Sequence, residues 1–206
     1  MASGIGSSGL EKAEREENWD KIEEAVNTTK GEIITYDRKP INAFFHASSG
    51  GITEMPIDVW GGSGYPYLQV VETAGEEGYS QFSSEVELSK EELLEKLKSE
   101  YSDIKINFED KDAIKITEYT NSNRVRTIKF GNKNLSGVET RSLLGLKSTN
   151  FTIEQSEDKI KFSVIGYGHG VGMSQYGANG MAKEKYTYDE EIIIIEDIDV
   201  IEYYRE

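Results

Sequence analysis

The chain has 206 residues and a formal net charge of −15, from 23 Lys and Arg residues against 38 Asp and Glu residues. Its 36% hydrophobic content is typical of a globular protein with a sizeable core. The excess of acidic residues disfavours binding to nucleic acid or to anionic membrane surfaces. The absence of cysteine excludes disulfides, thiolate metal sites and cysteine nucleophiles.

The first quarter of the chain predicts a helix and a hairpin. Residues 1–9 resemble a flexible leader or a cloning remnant, since they lack the basic and apolar regions of a signal peptide. No segment is long and apolar enough to predict a membrane span. Apolar periodicity predicts a helix over 10–27, with one face formed by Trp19, Ile22, Ala25 and Val26. Residues 31–47 then predict two strands joined at the turn sequence DRKP.

A long loop rich in Gly, Ser and Pro follows, over residues 48–68. Loops of this length inside a compact domain usually have a function. The loop carries three aromatic residues, Trp60, Tyr65 and Tyr67. We expect Trp60 to pack in the core, because a tryptophan in such a loop commonly holds it in place.

The middle of the chain predicts helices and further strands. Ser89 and Glu92 form a capping-box pattern, and a helix begins there with Leu93, Leu94, Leu97 and Tyr101 as its buried stripe. Short helix and strand patterns then cover 104–108, 113–119, 124–130, 136–146 and 151–165. The predicted fold class is α+β, with antiparallel hairpins, a few helices and glycine-rich loops that line one groove. We expect one domain over 10–206, and a sub-lobe at about 80–130 is compatible with this pattern.

The stretch GYGHGVGMSQYGANGMA, residues 166–182, is the most unusual segment of the chain. It leaves a predicted strand and enters a helix near Met173, a geometry that can present backbone N–H groups to a polar or anionic ligand. The simpler alternative is a tight turn in which His169 hydrogen-bonds to backbone. The other histidine, His46, ends a strand just before the sequence SSGG. Two loops of similar design predict one shared groove, lined by both histidines with Ser48, Ser49 and Gln175.

Three blocks of this sequence resemble the stage II sporulation protein D family, which includes the amidase-enhancer proteins. The blocks are AFFHASSGGITEMPIDVWGGSGYPYLQVVE, VETRSLLGLKSTNFTI and IGYGHGVGMSQYGANGMA. The resemblance covers roughly residues 20–185, the later two-thirds of the family domain. It implies a peptidoglycan lytic transglycosylase that acts during forespore engulfment, facing the cell wall outside the cytoplasm. It also implies glycan strands, a cell-wall hydrolase and membrane-anchored sporulation proteins as partners, while the net charge predicts no nucleic-acid partner.

The implied reaction needs one acid, which protonates the glycosidic oxygen while the C6 hydroxyl of muramic acid attacks C1. A second carboxylate and a water are therefore dispensable, unlike in most glycosidases. Glu54 is the best-placed candidate acid, and the alternative is that its carboxylate orders the loop by accepting backbone hydrogen bonds. The candidate substrate-binding residues are His46, Ser48, Ser49, Gly50, His169, Ser174, Gln175 and Tyr176. The resemblance also makes Trp60, Tyr65, Tyr67 and Tyr176 candidates for stacking on sugar rings, with Tyr176 favoured for the groove. We expect no metal and no cofactor.

The sequence also departs from the family pattern. The family's catalytic glutamate lies in an upstream segment of the type A-S-E-M-P, and nothing in residues 1–30 matches it. The C-terminal sequence EIIIIEDIDVIEYYRE differs from the family's usual helix. The sequence therefore leaves two functions open: a lytic transglycosylase or part of one, and a non-catalytic glycan-binding module that activates a cell-wall amidase.

Overall fold

The computed structural model describes residues 6–63, 65–187 and 200–203, with side chains described for 15–63 and 65–187. The helices are α1 (Gly6–Thr28), α2 (Pro56–Trp60), α3 (Lys90–Glu100), α4 (Gly137–Leu144) and α5 (Gln175–Lys183). The strands are β1 (Glu32–Tyr36), β2 (Lys39–Pro40), β3 (Phe45–His46), β4 (Ser83–Ser89), β5 (Ile114–Tyr119), β6 (Val125–Phe130), β7 (Lys133–Ser136), β8 (Phe151–Gln155), β9 (Lys159–Ile165), β10 (Met173–Ser174) and β11 (Val200–Tyr203). This composition confirms the α+β class. The chain forms two compact units, one within Met1–Ile41 and Asp199–Glu206 and the other within Asn42–Ile198.

The smaller unit contains α1 and an antiparallel sheet in the order β11-β1-β2. The β1–β2 hairpin turns at Asp37 and Arg38, both with positive φ, as two-residue hairpin turns require. The hairpin predicted over 31–47 is too long, because it ends at Pro40 and β3 pairs with β10 instead. Helix α1 begins earlier than predicted, and its predicted apolar face is exposed, with Trp19 66% accessible to solvent.

The larger unit is built on two three-stranded antiparallel sheets, in the orders β4-β9-β8 and β5-β6-β7. Helices α3 and α4 contribute to their core, which includes Leu93, Leu97, Ile128, Phe130, Leu144, Ile160, Phe162 and Val164. The capping box predicted at Ser89 and Glu92 is present at the start of α3. The β8–β9 hairpin is confirmed as well.

One predicted strand in this unit is wrong. Residues 104–108 form a loop, because the backbone of Lys105 bonds to Asn132, a single residue of a distant turn, rather than to a strand. The Lys105 N–H donates to the Asn132 side-chain oxygen at 2.7 Å, and the Asn132 N–H donates to the Lys105 carbonyl at 3.2 Å.

Strand β9 connects this core to the motif, because it ends at Ile165, one residue before the glycine-rich stretch. The predictions for residues 1–5 and for the C-terminal sequence at 188–199 and 204–206 lie outside the described residues. None of the helices in the described ranges combines the length and apolar character that crossing a membrane requires.

Candidate functional site

Two glycine-rich loops lie side by side in the larger unit. We call residues 48–51 the serine loop and residues 166–172 the histidine loop. The Ser48 N–H donates to the Tyr167 carbonyl at 3.0 Å, and the Tyr167 N–H donates back to the Ser48 carbonyl at 2.8 Å. Next to them, β3 pairs in parallel with β10. The backbone therefore joins the two loops whose similar design suggested a shared site.

The histidine loop requires glycine because neighbouring groups approach its backbone closely. A Cβ on Gly172 would lie 2.2 Å from the Phe44 carbonyl oxygen, and one on Gly170 would lie 2.6 Å from a terminal guanidinium nitrogen of Arg124. Both glycines have positive φ, 74° and 83° respectively, a conformation that residues with a Cβ rarely adopt. The glycines thus build a rigid, close-packed turn, unlike those of a flexible linker.

The two histidines lie together, with ring centroids 5.8 Å apart. The same residue orients both rings: the His46 Nδ1–H donates to the Val171 carbonyl at 3.1 Å, and the Val171 N–H donates to His169 Nδ1 at 3.1 Å. The Nε2 atom of buried His46 has no hydrogen-bond partner among the described residues. The two imidazoles are adjacent, as expected from the sequence. That they line a shared groove remains a prediction.

Both histidines are neutral near pH 7. Burial, with a smaller effect of the charges of Arg124 and His169, lowers the pKa of His46 to about 4, against the opposing hydrogen bond to Val171 and charge of Glu76. Burial also lowers the pKa of half-buried His169, as do the charges of Arg141 and Arg124. A neutral His46 that donates from Nδ1 carries its lone pair on Nε2.

An aromatic surface adjoins the histidine loop, formed by Phe44, Trp60, Tyr65 and His169. The Trp60 ring centroid lies 4.7 Å from that of Phe44, 6.3 Å from that of Tyr65 and 5.2 Å from that of His169. Trp60 is 46% exposed, so the expectation that it packs in the core is wrong. Trp60 is the last residue of helix α2, which the sequence did not predict.

A buried carboxylate that the sequence analysis missed joins the two loops. Glu76, only 1% exposed, accepts hydrogen bonds from the Ser48 hydroxyl at 2.9 Å, from the Ser49 hydroxyl at 3.0 Å and from the Gly50 N–H at 2.8 Å. It also accepts a hydrogen bond from the Ser174 hydroxyl. Ser174 is the N-cap of α5. One carboxylate therefore binds the serine loop to the start of the helix that follows the histidine loop.

Glu76 is ionised in this setting. Burial by itself raises the pKa of a carboxyl group, but the hydrogen bonds from Ser174 and Ser48 and from the backbone of Gly50 and Ser49 outweigh it and lower the Glu76 pKa. Several donors aimed at one carboxylate stabilise its charged form. The candidate residues Ser48, Ser49 and Ser174 are buried, and their hydroxyls bind Glu76.

The Glu54 carboxylate accepts hydrogen bonds from its neighbours, as expected if its role is to order the loop. Its side chain is 2% exposed, and it accepts hydrogen bonds from the Thr120 hydroxyl at 2.6 Å and from the Met55 N–H at 2.8 Å. Its own N–H donates to the Gly170 carbonyl at 2.8 Å, which connects it to the histidine loop. A general acid must come within hydrogen-bond reach of the leaving oxygen. The burial of Glu54 thus favours the loop-ordering alternative, and its catalytic role stays a prediction.

Arg124 packs against both loops, and the sequence did not identify it as a residue of the site. It is 1% exposed, and its guanidinium donates to the Ser148 hydroxyl at 2.9 Å and to the Ser49 carbonyl at 2.5 Å. Burial lowers the pKa of Arg124, and the charges of Glu54 and Glu76 oppose this effect. Since arginine keeps its proton at these shifts, a fixed positive charge lies beneath the histidine loop.

The two remaining candidate residues lie at the start of α5. Gln175 is exposed, and the Tyr176 N–H donates to the Ala47 carbonyl at 3.0 Å, next to the serine loop. The Tyr176 ring stacks on Tyr79, with centroids 4.2 Å apart and planes 13° apart. One face of Tyr176 is therefore covered by Tyr79.

A separate cavity of about 490 Å³ lies between residues 71–75 and α5. Its lining is largely apolar and includes neither histidine, nor Trp60, nor Glu54. The chemistry-bearing groups of the two loops thus lie outside it. Within the described part of the chain, no three His, Cys, Asp or Glu side chains are grouped so that they could hold a metal ion.

Comparison with known proteins identifies homologous sequences whose names indicate a function. Stage II sporulation protein D of Bacillus subtilis (strain 168) is 36% identical over 185 residues, which are 89% of this chain and 49% of that protein. The protein of the same name from Bacillus amyloliquefaciens is 36% identical over 82% of this chain and 47% of its own length. The amidase enhancer of Bacillus subtilis (strain 168) is 29% identical over 80% of this chain and 30% of its own length. The chain thus spans about half the length of the sporulation proteins that it matches.

A family model described as a domain of unknown function (DUF8618) matches residues 68–172. The match begins before Glu76 and ends with the histidine loop, so it contains the carboxylate and the glycines that build the site. The chain therefore belongs to this DUF8618 family, and it is a homologue of stage II sporulation protein D and of the amidase enhancer.

Proposed function

We propose that this chain binds peptidoglycan glycan strands, as the glycan-positioning part of a sporulation lytic transglycosylase. In this proposal it acts outside the cytoplasm, facing the cell wall. The names of its relatives, which refer to sporulation and to the enhancement of an amidase, support a role at the cell wall. The resemblance of the three sequence blocks supports glycan strands as the ligand.

The observation that carries this proposal is the exposed aromatic surface beside the histidine loop. Pyranose rings present C–H groups that pack on flat apolar rings, and partly exposed aromatic side chains with a few polar neighbours are typical of ligand sites. Trp60 is 46% exposed, and His169 lies against it. We assign sugar stacking to Trp60 and hydrogen bonding to His169 and Gln175.

The buried candidate residues have a different task in this proposal. Ser48, Ser49 and Ser174 act through Glu76, which fixes the serine loop and the start of α5. His46, Gly50 and Tyr176 lie in the same loops or next to them and hold the backbone on which the exposed groups stand. Binding then depends on a rigid platform, which reduces the entropy lost when a ligand is bound.

Cleavage is assigned to the complete protein and not to Glu54. The hydrogen bonds from Thr120 and Met55 to the Glu54 carboxylate, and the burial of this side chain, support the assignment. An acid supplied by a segment outside this match would complete the transglycosylase. Its partners in that role are a cell-wall hydrolase and membrane-anchored sporulation proteins.

Co-sedimentation with purified sacculi tests the binding proposal. We expect the protein to bind sacculi, and Trp60→Ala to lower the bound fraction several-fold, because the pyranose rings lose the flat apolar surface on which their C–H groups pack. Trp19→Ala removes the chain's other tryptophan, which is also exposed, and serves as the matched control. Equal binding by the two variants, or no binding by the unaltered chain, would contradict the proposal.

A second function, activation of a cell-wall amidase without glycan cleavage, is favoured by the amidase enhancer relative. It predicts that the chain raises the rate at which an amidase releases stem peptides from sacculi. The same rate with and without the chain would exclude this function. The two functions are separated by the products, since only cleavage of the strand yields 1,6-anhydromuramic ends.

A further inference from the structure

Two cationic side chains beside the histidine loop have no acidic partner among the described residues. Arg141 lies in the last turn of α4, and Lys147 follows it closely in the chain. Several other described cations do form ion pairs with a carboxylate within 4 Å: Lys115–Asp112, Arg126–Asp58, Lys133–Asp103, Lys159–Glu87 and Lys161–Glu85. No described carboxylate within 4 Å therefore neutralises the charge of Arg141 or Lys147, in a chain whose net charge is −15.

The backbone fixes Lys147 against the histidine loop, and Arg141 lies at the end of α4, in the turn that leads to Lys147. The Gly168 N–H donates to the Lys147 carbonyl at 2.9 Å, and the Leu146 N–H donates to the Arg141 carbonyl at 2.9 Å. The Lys147 ammonium lies 5.0 Å from the centre of the Tyr167 ring, in cation–π contact. Tyr167 is exposed and is separated by one residue from His169 of the aromatic surface.

The electrostatics of this corner are positive. Burial lowers the pKa of Arg141, and Tyr167 is the group that opposes this effect. The charge of Arg141 reaches His169, whose pKa it helps to lower. Arg141 at a helix C-terminus also interacts favourably with the helix dipole, but this accounts for neither Lys147 nor its position over Tyr167.

We propose that Arg141 and Lys147 form a carboxylate subsite next to the aromatic surface. This inference rests on the proposed function and specifies it, because glycan strands of peptidoglycan carry carboxylates where neutral strands of N-acetylglucosamine carry none. Guanidinium and ammonium groups are the side chains that bind carboxylates through charge-assisted hydrogen bonds. The carboxylate has two sources. One is the stem peptide, and the other is the lactyl group of muramic acid where no stem peptide is attached, because an attached peptide converts the lactyl carboxyl to an amide.

The test measures affinity for three ligands by isothermal titration calorimetry. They are a neutral N-acetylglucosamine tetramer, glycan strands stripped of stem peptides, and glycan strands that retain them. The strands that carry carboxylates should bind more tightly than the tetramer, and this excess should shrink as salt rises from low to high concentration. The stripped strands retain the lactyl carboxylate, so a loss of the excess on stripping would assign the site to the stem peptide.

Three variants and a control locate the effect. We expect Lys147→Gln and Arg141→Gln each to weaken binding of the carboxylate-bearing strands about fivefold, the upper range of an exposed ion pair, and to leave the tetramer unaffected. Arg141→Lys, which keeps the charge, should retain most of the affinity. Lys90→Gln removes a lysine over another aromatic ring, that of Phe108, and should change nothing.

The outcomes separate this inference from the function on which it rests. Equal affinity for all three ligands, or variants that bind as the unaltered chain does, would overturn the carboxylate subsite and leave glycan binding in place. A protein that binds none of the three ligands would contradict the proposed function and this inference together. Variants that lose tetramer binding as well would assign Arg141 and Lys147 to the fold of the loop and overturn the subsite.

Discussion

The carboxylate of Glu76 accepts a hydrogen bond from the hydroxyl of Ser174, which in turn accepts the Gly177 N–H at 3.1 Å as the N-cap of α5. The same carboxylate holds Ser48, Ser49 and Gly50. The two glycine-rich loops are therefore fixed through a single ionised group, and the stability of the site should depend on that group.

Replacement of Glu76 by Gln should destabilise the protein by about 3 kcal/mol, because an amide nitrogen would face hydrogen-bond donors in a buried position. Urea denaturation monitored by circular dichroism measures the loss. Glu77→Gln is the matched control, since Glu77 is adjacent and exposed, and its effect should stay within about 0.5 kcal/mol. Similar losses in both variants would show that Glu76 does not join the loops.

The stability of the protein should fall as the pH falls from 7 to 4. The unfolded chain protonates its histidines near pH 6.5, whereas buried His46 takes up a proton only at about pH 4. The unfolded state thus binds more protons in this window, which costs up to about 3 kcal/mol at its lower end. The lowered pKa of Glu76 acts in the same direction: its contribution is present above the unfolded pKa and is lost as the pH falls through the folded one.

The variant His46→Gln distinguishes the contribution of His46 from that of Glu76, because it should flatten the dependence of the unfolding free energy on pH between 6.5 and 4. The readout is this slope and not the absolute stability, which a substitution at a buried site also changes. A slope that is the same with and without His46 would contradict its assignment as a buried neutral histidine.

Gly170→Ala should destabilise the protein by about 2 kcal/mol more than Gly61→Ala. Both glycines have positive φ, 83° and 71°, so both substitutions strain the backbone by about 1 kcal/mol. Only at Gly170 does the new methyl group meet another group, the Arg124 guanidinium, whereas Gly61 faces open space. Equal losses in thermal unfolding would mean that Arg124 does not pack under the histidine loop.

The chain by itself should release no 1,6-anhydromuropeptides from sacculi, because the geometry of Glu54 is that of an ordering acceptor. Proton donation to the leaving oxygen contributes on the order of 10²- to 10⁴-fold, and the bond breaks too slowly without it. Mass spectrometry of digested sacculi measures the products. Anhydro products that disappear in Glu54→Gln, with the fold intact, would assign catalysis to Glu54.

Local patterns in the sequence predicted the fold where the interactions themselves are local. The capping box at Ser89 and the β8–β9 hairpin depend on residues a few positions apart. The loop at 104–108 was mistaken for a strand because its apolar alternation matched, although its backbone partner, Asn132, lies in a distant turn.

The candidate site was likewise predictable only where its signals are local in the sequence. Its glycines and histidines stand out in the sequence, and their adjacency could be expected from the two similar loops. Glu76 could not be identified, because its partners Ser48 and Ser174 lie 28 and 98 residues away in the chain. Nor could the exposure of Trp60, the last residue of a helix that the sequence did not predict.

The most direct measurement of the central claim is an isotope-filtered nuclear Overhauser experiment on the labelled protein with unlabelled glycan strands. We expect cross-peaks between the indole protons of Trp60 and the C–H protons of the pyranose rings, with weaker ones from the His169 ring. Bound strands whose protons contact other residues and show no cross-peak to Trp60 would contradict the assignment of the aromatic surface as the glycan site.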